Sequence, residues 1–458
     1  MKEPVLVIIG NGITGITVAR TVRKQFRDIR IRIISDETDY FFSRPALMYI
    51  YMGHMEAKHT EPYERNFYDE NRLELIRGRV ESMDPDSGNL TLTGGQQVPF
   101  DYVVMATGSV PNRFGWPGQD LDGVQGLYSM QDLDSLEYWT KEGIHNAVIV
   151  GGGLIGIELA EMLHTRGIPA TFLVRESHYW GNILPVEESN LVKQQIDAHH
   201  VGLKLNTELK SIESDSNGRA SAVITSDGES IPANFVGLTA GVRPNISVSH
   251  PSVETARGYL IDYSFQTSHN KVFAAGDCAQ FRTNEGAGPV EQLWYTGRMQ
   301  GEALGSILGY RIKEEHSLTL RDDIPVADQV FPENTPYDRG IWFNSAKFFN
   351  LEYQTYGYVP ARLDSEQTFY WQHPKKSIAF RMVWQGNPES GQVTGFNVFG
   401  LRYRQNVCQQ WIADGRSPRH VIDHLKEANF DPEFFEKPEK QIRKAFKEFV
   451  RKAPAVTG

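Results

Sequence analysis

The chain opens on an unbroken apolar run, Val5 to Ile9, that stops at Gly10-Asn11-Gly12-Ile13-Thr14-Gly15 and gives way to a helix-compatible segment. An all-apolar run closed by glycines reads as a strand buried on both faces, then a turn and a helix. The spacing G-x-G-x-x-G is that of a dinucleotide-binding unit. Gly10 permits the tight turn, Gly12 lets backbone approach a pyrophosphate, and Gly15 lets the helix pack close to the strand. Amides at the helix start then face the phosphates, where the helix dipole favours negative charge. The pattern returns in AVIVGGGLIGIELAEML, Ala147 to Leu163, with Gly151, Gly153 and Gly156. Two such units about 140 residues apart indicate two dinucleotides held by one chain.

Between and beyond the two turns, further patterns bear on chemistry. A second strand, Arg30 to Ser35, ends in Asp36 and Glu37. A carboxylate about 20–25 residues past the turn suits an adenosine ribose; Asp36 is the first choice and Glu37 the alternate, against an ordinary solvated loop acid. The segment Tyr40 to Tyr49, YFFSRPALMY, has no cysteine, and none occurs anywhere before Cys278. A dithiol relay needs paired cysteines beside a flavin ring, so none can be built there. The strand ending in Ala106-Thr107-Gly108 is expected to bring backbone beside the first cofactor, with Trp116-Pro117-Gly118 as the link to a second unit.

In that second unit a strand, Thr171 to Val174, ends in Arg175-Glu176. An acid there accepts from the 2′-hydroxyl of NADH, whereas an arginine pairs with the extra phosphate of NADPH. Arg175 falls at the selecting position and Glu176 one place later; both nucleotides stay open, with NADPH slightly favoured. Thr239 to Asn245 returns the chain to the first unit. A strand then ends in Gly276-Asp277, an aspartate suited to the ribityl hydroxyls of a flavin. Val290 to Leu308 reads as a helix whose N-terminus faces the flavin edge where reduction places negative charge. From about residue 317 the character changes. Ser377–Trp384 and Gln392–Gly400 read as a hairpin. The tail reads as helices over Tyr403–Ala413, Pro418–Ala428 and Pro438–Lys452, and Ile442, Phe446 and Phe449 recur at helical spacing as a packing stripe.

Composition narrows the class further. The chain has 458 residues, enough for about three domains. Its 40% hydrophobic and 23% charged residues are an ordinary globular balance. No apolar run nears the roughly 18–20 residues of a membrane span, and the N-terminus lacks a signal-peptide layout, so a cytoplasmic protein is expected. A net charge of −10 argues against nucleic acid as partner. Cys278 and Cys408 are the only cysteines. They exclude a disulfide framework or a multi-cysteine zinc or iron–sulfur site within the chain, and no metal is expected. Cys278 reads as a small buried filler.

With these motifs in hand, the chain resembles the FAD- and NAD(P)-dependent pyridine nucleotide oxidoreductases. The resemblance is strongest to the branch of rubredoxin and ferredoxin reductases and the reductase module of nitrite reductases. GNGITG, SRPAL, ATGSVP, GGGLIGIE, GVRPN and AAGDCA carry it in order over about residues 4–310, and Trp342 to Ala346 with the following hairpin extend it more loosely. The resemblance implies an α/β fold: two three-layer, Rossmann-like dinucleotide-binding domains and a C-terminal α+β interface domain with a helical tail. The expected limits are 1–115 with 241–316 for FAD, 119–240 for NAD(P), 317–402 for the interface domain and 403–458 for the tail. It implies FAD contacts from Gly10, Gly12, Gly15, Asp36 or Glu37, Arg44, Pro45, Thr107, Gly108 and Asp277. NAD(P)H would lie on Gly151, Gly153, Gly156, Arg175 and Glu176, with Gly241 near the nicotinamide.

One departure from that branch concerns catalysis. The branch places a lysine after its Arg-Pro-Pro-Leu-Ser sequence, paired with a glutamate beside the flavin N5. This chain keeps the glutamate, Glu158, but has Tyr49 where the lysine would fall. A phenol offers a hydrogen bond and no positive charge, which leaves Glu158 partly protonated or held by another group; simple aromatic packing is the other reading of Tyr49. The implied activity passes hydride from NAD(P)H to FAD and electrons on to a non-disulfide acceptor. That acceptor is a small electron-carrier protein, a partner subunit, a quinone or dioxygen. A homodimer or larger complex is expected. The alternative is a redox-gated binding protein like the apoptosis-inducing-factor group, acting through oligomerisation or partner binding.

Overall fold

The computed structural model describes residues 3–321, 337–363, 367–430 and 437–452. The described chain forms two compact units. One comprises residues 1–112, 126–142 and 241–339; the other comprises 113–125, 143–240 and 340–458. The second unit therefore does not run unbroken from residue 119. Residues 126–142 join the first unit because Glu37 accepts from the Met130 amide at 3.0 Å, and the Tyr51 hydroxyl meets that of Thr140 at 2.7 Å. No sequence pattern marks those two tertiary contacts. The expected start of the C-terminal domain, at 317, runs into residues 322–336, which lie outside the described residues, as do 431–436 and 453–458 within the expected tail.

The first unit is built on a five-stranded parallel sheet. Its order is Val272–Ala274, Tyr102–Met105, Val5–Ile9, Arg30–Ser35 and Leu73–Arg77. The strand before the first glycine turn is central and buried along its whole length, as its uninterrupted apolar run requires. Its helix, Ile13–Gln25, packs against the long helix Trp294–His316 through a ridge of glycines at four-residue spacing. A Cβ at Gly297, Gly301, Gly305 or Gly309 would come within 2.6 to 2.9 Å of Thr14, Thr21 or Gln25 atoms. The long helix starts four residues later than expected, because Gly286–Val290 is a strand paired with Ala279–Thr283.

The second unit repeats the arrangement. Gly202–Leu205, Ala170–Val174, Ala147–Val150, Phe235–Leu238 and Val124–Gln125 form a parallel sheet with the glycine-turn strand again central. Its C-terminal portion is an antiparallel sheet ordered Phe343–Phe348, Leu351–Gly357, Gln392–Phe399, Ala379–Gln385 and Gln367–Gln372. The expected hairpin is present as the last-named central pair. Three tail helices, Gln405–Ala413, Pro418–His424 and Glu439–Lys452, share its core; Ile442 and Phe446 are fully buried there and Phe449 packs beside them. Among the described residues no helix is long and apolar enough to cross a membrane.

Candidate functional site

In the first glycine turn the three glycines have separate reasons to be glycine. Gly10 has φ +116°, and a Cβ there would lie 2.1 Å from the Ala106 carbonyl oxygen. A Cβ on Gly15 would lie 2.0 Å from the Gly10 carbonyl oxygen, so that position is closed by the chain itself. Gly12 is different: a Cβ would meet no protein atom within 4 Å. The space in front of Gly12 is therefore open, as close approach of a pyrophosphate would require. Beside it, the Oδ1 of buried Asn11 has no hydrogen-bond partner among the described residues.

Around this turn the structure assembles several expected residues. Arg44 forks onto Glu37 at 2.7 and 2.6 Å, donates to the Tyr128 carbonyl at 2.5 Å and stacks on the Tyr128 ring at 4.5 Å. Pro45 follows in the same short 3-10 turn, Arg44–Ala46. Thr107 donates to the Asn245 carbonyl at 2.6 Å, and Asn245 donates its amide to Gly108. Asp277 accepts from Ser109 Oγ at 2.9 Å; burial raises its carboxyl above the ordinary value, opposed by that hydrogen bond and by Arg44. Asp36 stands apart. It is 54% exposed and pairs with Arg79 at 3.5 Å, while its alternate Glu37 is the acid in the network. Tyr49 is half-buried and lies against His54, with ring centroids 6.1 Å apart.

The second turn repeats the logic. Gly151 has φ +118°, a Cβ on Gly156 would sit 2.7 Å from the Gly151 carbonyl oxygen, and one on Gly153 would meet nothing within 4 Å. Buried Tyr179 donates to the Gly153 carbonyl at 2.9 Å and so fixes the open position. The carboxyl of half-buried Glu158, one turn into the following helix, has no hydrogen bond or ion pair among the described residues. Burial first, then the charge of Glu161, pushes its carboxyl up to about 7. At the end of the next strand Arg175 donates to Glu176 at 2.9 Å, and Asn182 donates to the same oxygen at 2.7 Å. Arg175 is 69% exposed and Glu176 only 23%. Gly241, with φ +84°, sits in the first unit, its carbonyl accepting from the Asn112 amide.

Both cysteines are free and buried, and burial raises each thiol above its ordinary value. Such thiols are poor nucleophiles. Tyr128 is the neighbour of Arg44 and Ser109 that sequence patterns passed over. Its hydroxyl accepts from the Ser109 amide at 3.0 Å while its carbonyl holds Arg44. The available signal was the adjoining capping box, in which Ser129 and Asp132 exchange hydrogen bonds at 2.9 and 3.1 Å and start the helix that follows.

Two phosphate-type turns on parallel sheets, each with one glycine left open to an outside group, and no paired thiol define a dinucleotide-dependent oxidoreductase without a thiol relay. The chain belongs to the pyridine nucleotide-disulphide oxidoreductase family, which residues 4–301 match; it is an FAD-dependent NAD(P)H oxidoreductase. The rubredoxin-NAD(+) reductase of Pseudomonas putida is 28% identical over 280 residues, covering 60% of this chain and 72% of that protein. The ferredoxin–NAD(+) reductase component of the biphenyl dioxygenase system of Paraburkholderia xenovorans is 26% identical over 305 residues, 66% of this chain and 74% of that one. In fold, the chain matches the ferredoxin reductase for the CYP199A2 system of Rhodopseudomonas palustris with a TM-score of 0.73 at 20% identity, covering 86% and 91% of the two chains.

Proposed function

We propose that this protein is a reductase that draws electrons from NAD(P)H and delivers them to a small iron–sulfur carrier protein of the ferredoxin or rubredoxin kind. The observation that carries this reading is the lack of any usable thiol beside the first glycine turn, since Cys278 and Cys408 are both buried and free. The electron path then ends outside this chain. The rubredoxin and ferredoxin reductases of Pseudomonas putida and Paraburkholderia xenovorans, 28% and 26% identical to this chain, support a carrier protein as the acceptor.

When bound, FAD would supply the chemistry, a hydride acceptor that can release electrons singly. The chain contributes position and charge. Gly12 and the amides of the Ile13–Gln25 helix receive the FAD pyrophosphate, Glu37 or Asp36 the adenosine ribose, and Asp277 the ribityl hydroxyls. Arg44, held by Glu37 and Tyr128, and Pro45 fix the loop that borders the flavin, with Thr107 and Gly108 at the neighbouring strand end. Gly153 and its helix receive the second pyrophosphate, Gly241 borders the nicotinamide, and Arg175 and Glu176 face the adenosine 2′ position. Glu158 holds its proton to near neutrality, and Tyr49 replaces a cation with a neutral phenol.

Anaerobic stopped-flow reduction by NADH and by NADPH, followed by mixing with a ferredoxin, a rubredoxin, a quinone or air, tests the proposal. Fast bleaching of flavin absorbance and fast recovery with a carrier protein are expected. Recovery with quinone or air alone overturns the carrier-protein assignment. A long-lived reduced state with a change in mass indicates a redox-gated binding protein instead.

A further inference from the structure

Glu291 and Gln292 are neighbours at the approach to the long helix Trp294–His316, and each reaches one side of the Gly276–Asp277 step through a single relay residue. On one arm, the Gly276 amide donates to Gln300 Oε1 at 2.7 Å, and Gln300 Nε2 donates to Glu291 Oε2 at 3.0 Å. Gln300 is 1% exposed and Glu291 8%. On the other arm, Gln292 Nε2 donates to Ser109 Oγ at 2.8 Å, and Ser109 Oγ donates to Asp277 Oδ2 at 2.9 Å. Glu291 also accepts from the Tyr337 hydroxyl at 2.9 Å and pairs with Arg339 at 3.3 Å.

The direction of every bond in this arrangement is set by chemistry. The Gly276 amide is only a donor, so it must meet the carbonyl end of Gln300. That turns the amide NH2 toward Glu291, whose Oε2 accepts it. Ser109 has one proton, which it gives to Asp277, and so it accepts from Gln292. Gly276 has φ +77°, and a Cβ there would lie 2.4 Å from Thr14 Oγ1. A glycine in that region is otherwise mobile about its dihedrals, and both arms remove the mobility at the residue before Asp277 and at the Asp277 carboxylate.

We infer that Glu291, Gln292, Gln300 and Ser109 are positioning residues that preset the Asp277 carboxylate for the ribityl chain of FAD. The inference rests on the assignment of Asp277 to FAD made above. Their effect on the cofactor passes through Asp277, which is what separates them from residues that merely stabilise the fold.

The test is the rate at which FAD leaves the full-length holoprotein, read from the rise of free-flavin fluorescence, with the visible circular dichroism of bound flavin as a second signature. Gln300→Met is expected to speed release about three- to tenfold, the worth of one buried hydrogen-bonded relay. In an Asp277→Asn background the same change should alter release by less than about twofold, because residues acting through one another are not additive. Glu291→Gln keeps an acceptor for Gln300 and should stay within about twofold of wild type, whereas Glu291→Leu should match Gln300→Met. Should Gln300→Met fail to fold, Gln292→Leu on the half-buried second arm gives the same comparison. Equal acceleration in the wild-type and Asp277→Asn backgrounds, or none in either, overturns the inference. If Asp277→Asn alone leaves release unchanged, the assignment of Asp277 to FAD is what fails.

Discussion

Lys347, on the C-terminal antiparallel sheet, reaches Glu161 at 2.7 Å, and Glu161 lies three residues beyond Glu158 on one helix. Residues three apart share a helix face, so the lysine offsets the very carboxylate that presses on Glu158. The buried Tyr179 hydroxyl also feels the charge of Glu158. Lys347→Met keeps the stem and removes the charge, which leaves Glu161 uncompensated and holds the Glu158 proton to higher pH. The pH profile of flavin reduction by NAD(P)H should shift upward by about half a unit to one unit. An unmoved profile would separate Glu158 from this pair.

The same carboxyl has a consequence for stability. Its value is raised from 4.5 to about 7. A carboxyl held protonated by the fold contributes stability that is complete below 4.5 and lost as pH rises through about 7. Glu158→Gln has no proton to lose, so its melting temperature should gain on wild type as pH rises through that window. A difference between the two proteins that is constant from pH 4 to pH 8 contradicts the assignment.

The glycine turn yields a sharper separation of folding from binding. Gly15→Ala must push a Cβ into the Gly10 carbonyl, 2.0 Å away, and is expected to yield little folded protein. Gly12→Ala meets no protein atom within 4 Å, so its apoprotein should melt within about 2 °C of the wild-type apoprotein while FAD binding is lost. Full FAD occupancy in purified Gly12→Ala would remove the pyrophosphate from this turn.

How much of this was legible along the chain depends on the range of the interactions involved. Both buried strands and their turns are local patterns: apolar runs ended by glycine at fixed spacing. The C-terminal hairpin and the Ile442–Phe446 stripe were legible for the same reason. The ridge at Gly297, Gly301, Gly305 and Gly309 also has a regular spacing, but only its partner helix shows that it allows close approach. Arg44 meets Tyr128 across 84 residues of sequence, and residues 126–142 join the first unit through contacts with Glu37 and Tyr51. Nothing periodic announces such contacts. Asp36 and Glu37 show the limit from the other side, since adjacent acids look alike in sequence and end in different surroundings.

Nucleotide choice turns on a neighbouring pair. Arg175, 69% exposed, donates its Nε–H to Glu176, which Asn182 holds as well. Arg175→Glu places a second acid where a 2′-phosphate would lie, and should weaken NADPH by about tenfold or more while NADH changes by less than about threefold. Steady-state KM for both nucleotides checks this. Equal losses would show that Arg175 has no part in reading the 2′ position.

Arg381 is 1% exposed, lies on a central strand of the C-terminal sheet, and binds Glu188 and Glu187 at 2.9 Å each. Glu188 is fully buried; burial pushes its carboxyl up to about 7, with Arg381 pulling it down. Arg381→Met removes the cation and leaves a buried carboxylate uncompensated, a loss of about 3–5 kcal/mol for pairs of this kind. The sign with pH follows from the direction of the shift. Without Arg381 the Glu188 carboxyl rises further, so the folded variant keeps its proton at pH 6 and pays for ionisation only at higher pH. The midpoint of urea unfolding should therefore fall more, relative to wild type, at pH 8 than at pH 6. The double change Arg381→Met with Glu188→Leu removes both charges and should recover most of the loss, since replacing a whole buried pair by apolar groups is often neutral. A single variant as stable as wild type at pH 8 would mean that the pair contributes nothing to holding the C-terminal sheet to the Val186–Ala198 helix.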